Sequence, residues 1–121
     1  MQNNKPTPNI IVERSFSFSI DIISYIEILE DRRKYIIARQ LLKSGTSIGA
    51  NVREAQNAES KTDFIHKMKI AAKEADETEY WLLFCNASKG YPACNELLSE
   101  CSVLTKILSK IISSSKSPKG D

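Results

Sequence analysis

Helix-breaking residues are scarce in this 121-residue chain, with four glycines and four prolines. So little punctuation argues against many short strands and tight turns, and favours long helices. No apolar run approaches the roughly 20 residues that span a bilayer. The opening MQNNKPTPN is polar, holds two prolines and lacks the apolar core of a secretory signal. Histidine occurs once, at His66, and no Cys-x-x-Cys pair accompanies it, so the usual zinc sites are excluded. The three cysteines are an odd number without close pairing. Cys94 and Cys101 are one heptad apart, about 10 Å along a helix, too far to bridge within it. All three are expected to be reduced, partly buried thiols of a cytoplasmic protein.

Charge of one sign is also lacking. Seventeen basic residues face fifteen acidic ones, a formal net charge of +2. Bulk charge therefore says nothing about nucleic acid, and any such argument rests on where the cations sit. The 41% hydrophobic and 26% charged residues suit one soluble domain.

What is present is helical periodicity. After a disordered lead-in over residues 1–9, a first helix is expected over 10–31. Ile11, Ser15, Phe18, Ile22, Tyr25 and Leu29 recur at three-four spacing. A second is expected over 35–58, with Ile37, Leu41, Gly45, Ile48, Val52 and Ala55. A third, over 61–88, opens on Ser60 and Asp63 in a capping-box arrangement. Its seam is Phe64, Met68, Ala71, Ala75, Thr78, Leu82 and Cys85. A fourth, over 92–114, carries Leu97, Cys101, Leu104, Leu108 and Ile111, widened by Leu98 and Ile112. Gly90 and Pro92 punctuate the third connection, and residues 115–121 read as a disordered tail. No segment alternates with period two. Four amphipathic helices of about 33 to 40 Å, joined by short connections, predict an all-α, antiparallel up-down-up-down four-helix bundle.

Two local features leave alternatives open. The turn near Arg32, Arg33 and Lys34 has no Gly or Pro, so one continuous helix competes with a break there. The stretch SGTSIGAN is a poor helix former, costing a few kcal/mol relative to alanine. Close approach of a neighbouring helix offsets that cost, while a kink at Gly45 is the other reading.

Catalysis finds no support. Cys85 and Cys101 lie on apolar seams. Cys94 falls at a helix start, where the dipole lowers a thiol pKa, but no base is in view. Glu74, Asp76, Glu77 and Glu79 cluster on the third helix, Glu79 beside the seam. The Glu-x-x-His motifs of carboxylate metal bundles are missing. SGTSIG has no preceding strand and no Gly-Lys-Ser/Thr ending, so it is not a phosphate loop. No catalytic residue, metal, cofactor or small-molecule substrate is expected.

Two sets of residues remain as candidate contact surfaces. Arg32, Arg33, Lys34, Arg39 and Lys43 put five cations in twelve residues with no acid among them, and Arg32, Arg39 and Lys43 share a face if the helix is regular. Guanidinium groups suit phosphate contacts; a solvated turn balanced by Glu30 and Asp31 is the alternative. His66, Lys69 and Lys73 form a weaker second group. The other set is an interface. Ser47, Asn51 and Glu54 continue a small polar stripe from Ser44, within the bundle or between subunits. Tyr80, Trp81 and Phe84 lie beside the third seam with Ile70, Glu74 and Glu77. They either broaden the core or form an exposed association patch.

SIGANVREA, SKTDFI and KEADETEYWL, within Gln40 to Leu82, resemble the four-helix bundle proteins called 23S ribosomal RNA intervening-sequence proteins. The first and last helices resemble them in pattern. The resemblance implies a bacterial protein of that type that assembles as a homopentamer around a central axis. It also implies kinship with the accessory variability protein of diversity-generating retroelements, whose positive surface engages RNA and a reverse transcriptase. The expected function is non-enzymatic: an oligomer binding RNA or a nucleoprotein through a repeated basic patch. A protein-protein scaffold without nucleic acid is the alternative.

Overall fold

The computed structural model describes residues 9–116, and the expectations for residues 1–8 and 117–121 fall outside them. Four helices form: α1 over Ile10–Asp31, α2 over Tyr35–Gln56, α3 over Lys61–Ala87 and α4 over Asn95–Lys116. No strand occurs among the described residues. The fold is an all-α four-helix bundle. Helices consecutive in the chain pack side by side, and α4 closes on α1 through the sparsest of the four seams.

Cross-helix contacts run antiparallel. On the α1–α2 seam, Asn9 donates to Gln56 at 2.8 Å, while Ser15, further along α1, lies against Gly49. On the α3–α4 seam, Cys101 donates to the Ala75 carbonyl at 3.4 Å and Cys94 to the Leu82 carbonyl at 3.2 Å. The α1–α4 seam is tied by Arg14, whose guanidinium forks onto both oxygens of Glu100 at 2.9 Å, and by the Tyr25 hydroxyl on the Pro92 carbonyl at 2.7 Å.

The spaced apolar residues of each helix point inward. Phe18, Ile22, Leu29, Leu41, Ile48, Met68, Leu82, Leu104 and Leu108 are fully enclosed. Truncating a core residue of this kind costs about 2–5 kcal/mol. Side chains cap the entries of α1 and α3. Asn9 accepts from the Val12 N–H, and Ser60 accepts from Asp63 N at 3.0 Å. The Asp63 carboxylate reaches back to Glu59 N at 3.3 Å, one residue before the position a capping box uses.

The break between α1 and α2 is a Schellman turn without glycine. Lys34 N donates to the Leu29 carbonyl at 2.8 Å and Arg33 N to Glu30 at 2.9 Å. Arg33 takes the left-handed conformation, φ 62°. The continuous-helix reading is thereby corrected: backbone hydrogen bonds, not a glycine, stop α1.

SGTSIGAN is an uninterrupted part of α2. A Cβ on Gly45 would stand 3.0 Å from both Cγ atoms of Ile22, and one on Gly49 would stand 3.2 Å from the Ser15 carbonyl oxygen. The glycines admit α1, so close packing rather than a kink accounts for them. Four boundaries move. α2 stops at Gln56, α3 stops at Ala87, α4 starts at Asn95 instead of Pro92, and Ser115 and Lys116 extend α4 into the expected tail.

Candidate nucleic-acid interface

The α1–α2 turn sits at the same end of the bundle as the α3–α4 connection, and the two are joined by basic side chains. The Arg32 guanidinium donates to the Gly90 carbonyl at 3.2 Å. Lys34 is half-buried, with Nζ 5.0 Å from the centre of the Tyr91 ring, a cation held over an aromatic face. Gly90 turns the connection at φ 84°. Arg33 on the turn and Arg39 and Lys43 on α2 are exposed. The expectation that Arg32, Arg39 and Lys43 share a face is corrected, because Arg32 caps α1 beyond the break.

Tyr91 extends the set further. Its ring meets Phe84 edge to face at 5.9 Å; Phe84 meets Trp81 at 6.2 Å, and Trp81 meets Tyr80 at 5.0 Å. Trp81 is half-buried, and its indole N–H donates to Glu77 at 3.2 Å. Tyr80 is 60% exposed and Phe84 39%. Trp81 packs against the core, as the core-broadening reading expects, while Tyr80 and Phe84 face out. The cationic and aromatic sets, separate in the sequence, form one run from Lys34 through Tyr91 to Tyr80. Sequence reasoning missed Tyr91; its one signal was an aromatic wedged between Gly90 and Pro92.

The polar stripe goes elsewhere. Ser44 is buried and shares a hydrogen bond with Thr78 at 3.0 Å, so the stripe starts inside the α2–α3 seam. Ser47 and Asn51 bond to carbonyls of their own helix, those of Lys43 and Ser47, and Glu54 pairs with Lys67 of α3 at 3.4 Å. Ser44 thus belongs to a contact within the bundle, and Glu54 makes its ion pair within the same chain while its side chain stays largely exposed. His66, Lys69 and Lys73 are exposed on α3, and so is Glu79 beside the seam.

The thiols are buried and unpaired. Burial, aided by the charges of Glu79 and Asp76, pushes the Cys101 thiol up to about 12. Burial also raises Cys85 and Cys94. The direction at Cys94 is opposite to the lowering expected from a helix start, and burial is its largest cause. Burial and the neighbouring Cys85 thiol raise the Tyr25 phenol. Among the described residues, no three side chains of metal-binding type cluster.

A cleft of about 600 Å³ opens on the α1–α4 seam, lined by Asp21, Tyr25, Cys94, Glu96 and Glu100 among others. Its carboxylates make it a poor seat for phosphate.

Comparison with known proteins agrees with this architecture. The family described as 23S rRNA-intervening sequence protein matches residues 8–110. A crystal structure from Bacteroides thetaiotaomicron, of a protein of unknown function from the S23 ribosomal protein family, superposes with a TM-score of 0.81. That protein is 37% identical, over 84% of this chain and 97% of its own. No curated protein sequence matches. With its helices, its seams and residues 8–110 all in agreement, the chain belongs to the 23S rRNA-intervening sequence protein family.

Proposed function

We propose that the protein is a non-enzymatic, self-associating bundle that binds RNA, free or in a nucleoprotein, through the basic end of each subunit. The observation that carries this reading is the freedom of Arg33, Arg39 and Lys43. Among the described residues, no carboxylate stands within ion-pair distance of them, while Arg32 and Lys34 beside them anchor the turn to the Gly90–Tyr91 connection. Exposed, uncompensated guanidinium groups on a fixed corner suit phosphate. The family description, which names a 23S rRNA intervening sequence, points the same way.

One corner is a weak site. Self-association multiplies it, because each further contact becomes intramolecular once the first is made. Tyr80, Trp81 and Phe84 supply the association surface, and five is the subunit number that the family resemblance implies. On this reading the protein acts in the cytoplasm. No helix of the described residues is long and apolar enough to cross a membrane.

Fluorescence anisotropy with a labelled single-stranded RNA tests the proposal. Affinity falls steeply between 50 and 200 mM salt, with a slope of about −0.7 per phosphate contacted. Arg33→Ala and Arg39→Ala each make the slope shallower by roughly that amount. Affinity indifferent to salt overturns it. The exposed Tyr80 and Phe84 favour a second reading, a scaffold for protein partners alone. Under that reading Trp81→Ala abolishes assembly with helicity intact, and no RNA is held at any salt.

A further inference from the structure

Helix α1 carries two stripes. The inward one runs Ile11, Ser15, Phe18, Ile22, Tyr25, Leu29. The other runs Glu13, Phe16, Ile20, Ile23, Glu27, Glu30 at the same three-four spacing, displaced by two or one residues. A displacement of two turns a side chain about 200° round the helix, to the outside. Phe16 is 67% exposed, Ile20 52% and Ile23 43%. Leu42, 38% exposed, adjoins them, because it follows the edge of α2 whose Gly45 and Gly49 face α1.

Taking roughly 200 Å² for a fully exposed large side chain, these four leave about 400 Å² of apolar surface open. A standard protein interface takes about 800 Å² per partner, a little over half of it apolar. The stripe is therefore of the size that one stable contact uses.

Its charges select the occupant. Carboxylates stand at both ends, Glu13 at one and Glu27 with Glu30 at the other, so phosphate and anionic lipid are repelled. Two copies of the stripe laid on each other would bring carboxylates together in either direction. The fitting surface is apolar with a cation at each end. This same chain presents one. On the outer face of α3, Lys73, Glu77, Tyr80 and Phe84 recur at four-three-four spacing, and Lys34 lies beyond Phe84 against Tyr91. Glu77 within that face is engaged by the Trp81 indole. Glu13 to Glu27 spans about 21 Å at 1.5 Å per residue. Lys73 to Phe84 spans about 16 Å on the same scale, with Lys34 further on.

We infer that the outward stripe of α1 docks on the aromatic α3 face of a second copy of this chain. The inference rests on the self-association proposed above and names the two halves of the contact. Because the halves differ, each subunit keeps one half free for the next, and the contact propagates into a ring if the rotation closes.

Native mass spectrometry of Ile20→Asp and Tyr80→Asp tests it. Both positions are exposed, so far-UV circular dichroism stays at the wild-type level. Phe16→Asp replaces Ile20→Asp if the latter loses helicity. Each variant alone falls to the single-chain mass of 13.6 kDa. Mixed one to one, they form a particle of two chains, one of each kind, because one intact stripe and one intact aromatic face remain. Wild-type assembly unaltered by the α1 variants overturns the inference and leaves the self-association reading standing. Two monomeric variants that never pair also overturn it. Wild-type protein that runs as single chains defeats both.

Discussion

Replacing Gly45 by alanine sets two effects of known sign against each other. Alanine in a helix interior is favoured over glycine by about 0.8–1.0 kcal/mol. Against that, the new Cβ lands 3.0 Å from Cγ1 and Cγ2 of Ile22 and 3.2 Å from its Cδ1. Ile22 has no exposed surface and a β-branched side chain, so it has nowhere to swing. Overpacking of this kind costs about 1–3 kcal/mol. The repulsion wins, and Gly45→Ala loses on the order of 1 kcal/mol net, about 3–6 °C in Tm. Urea unfolding followed by circular dichroism at fixed protein concentration measures it. Ile22→Ala removes the obstructing atoms and alone costs about 2–5 kcal/mol. Combined with Gly45→Ala, it loses less than the two separately, by on the order of 1 kcal/mol, because the added methyl occupies space the isoleucine vacated. A more stable Gly45→Ala protein, with strict additivity in the double variant, would refute the close-packing account.

Arg33 holds a left-handed conformation that costs an L-residue about 1–2 kcal/mol, so Arg33→Gly raises stability by roughly 1 kcal/mol while weakening RNA retention; a loss of stability would mean that the arginine side chain holds the turn. The raised thiols predict that stability is full below about pH 9, the ordinary cysteine value, and falls as pH climbs towards the folded value of about 12 at Cys101. Cys101→Ala therefore flattens the decline of Tm between pH 9 and 11, and an unchanged slope would contradict this. At pH 8 a thiol reagent titrates no cysteine rapidly in the folded protein and all three in denaturant, since all three are buried; one fast thiol would show that a seam opens.

The inward stripes were legible because burying one face of a helix imposes three-four spacing, and every position assigned to the first stripe is enclosed. Elsewhere the signals were weaker for physical reasons. Arg33 performs a turn that glycine normally marks, so the α1–α2 break carried no composition cue. Pro92 suited a first helical turn, yet its carbonyl is taken by Tyr25, and Leu98 N instead closes on the Cys94 carbonyl. The union of the cationic and aromatic sets depends on Tyr91, a connection residue that no periodicity places. The second stripe of α1 was present in the spacing but was masked by the first. Once a helix has one seam for the core, surplus apolar residues look incidental until their exposure is known.

The central claim is that several copies of this chain together hold RNA. Native mass spectrometry of protein purified at low salt, before and after nuclease, tests it most directly. The account predicts an assembly at a multiple of 13.6 kDa carrying extra mass that nuclease removes. Single chains of 13.6 kDa, unchanged by nuclease, would contradict it.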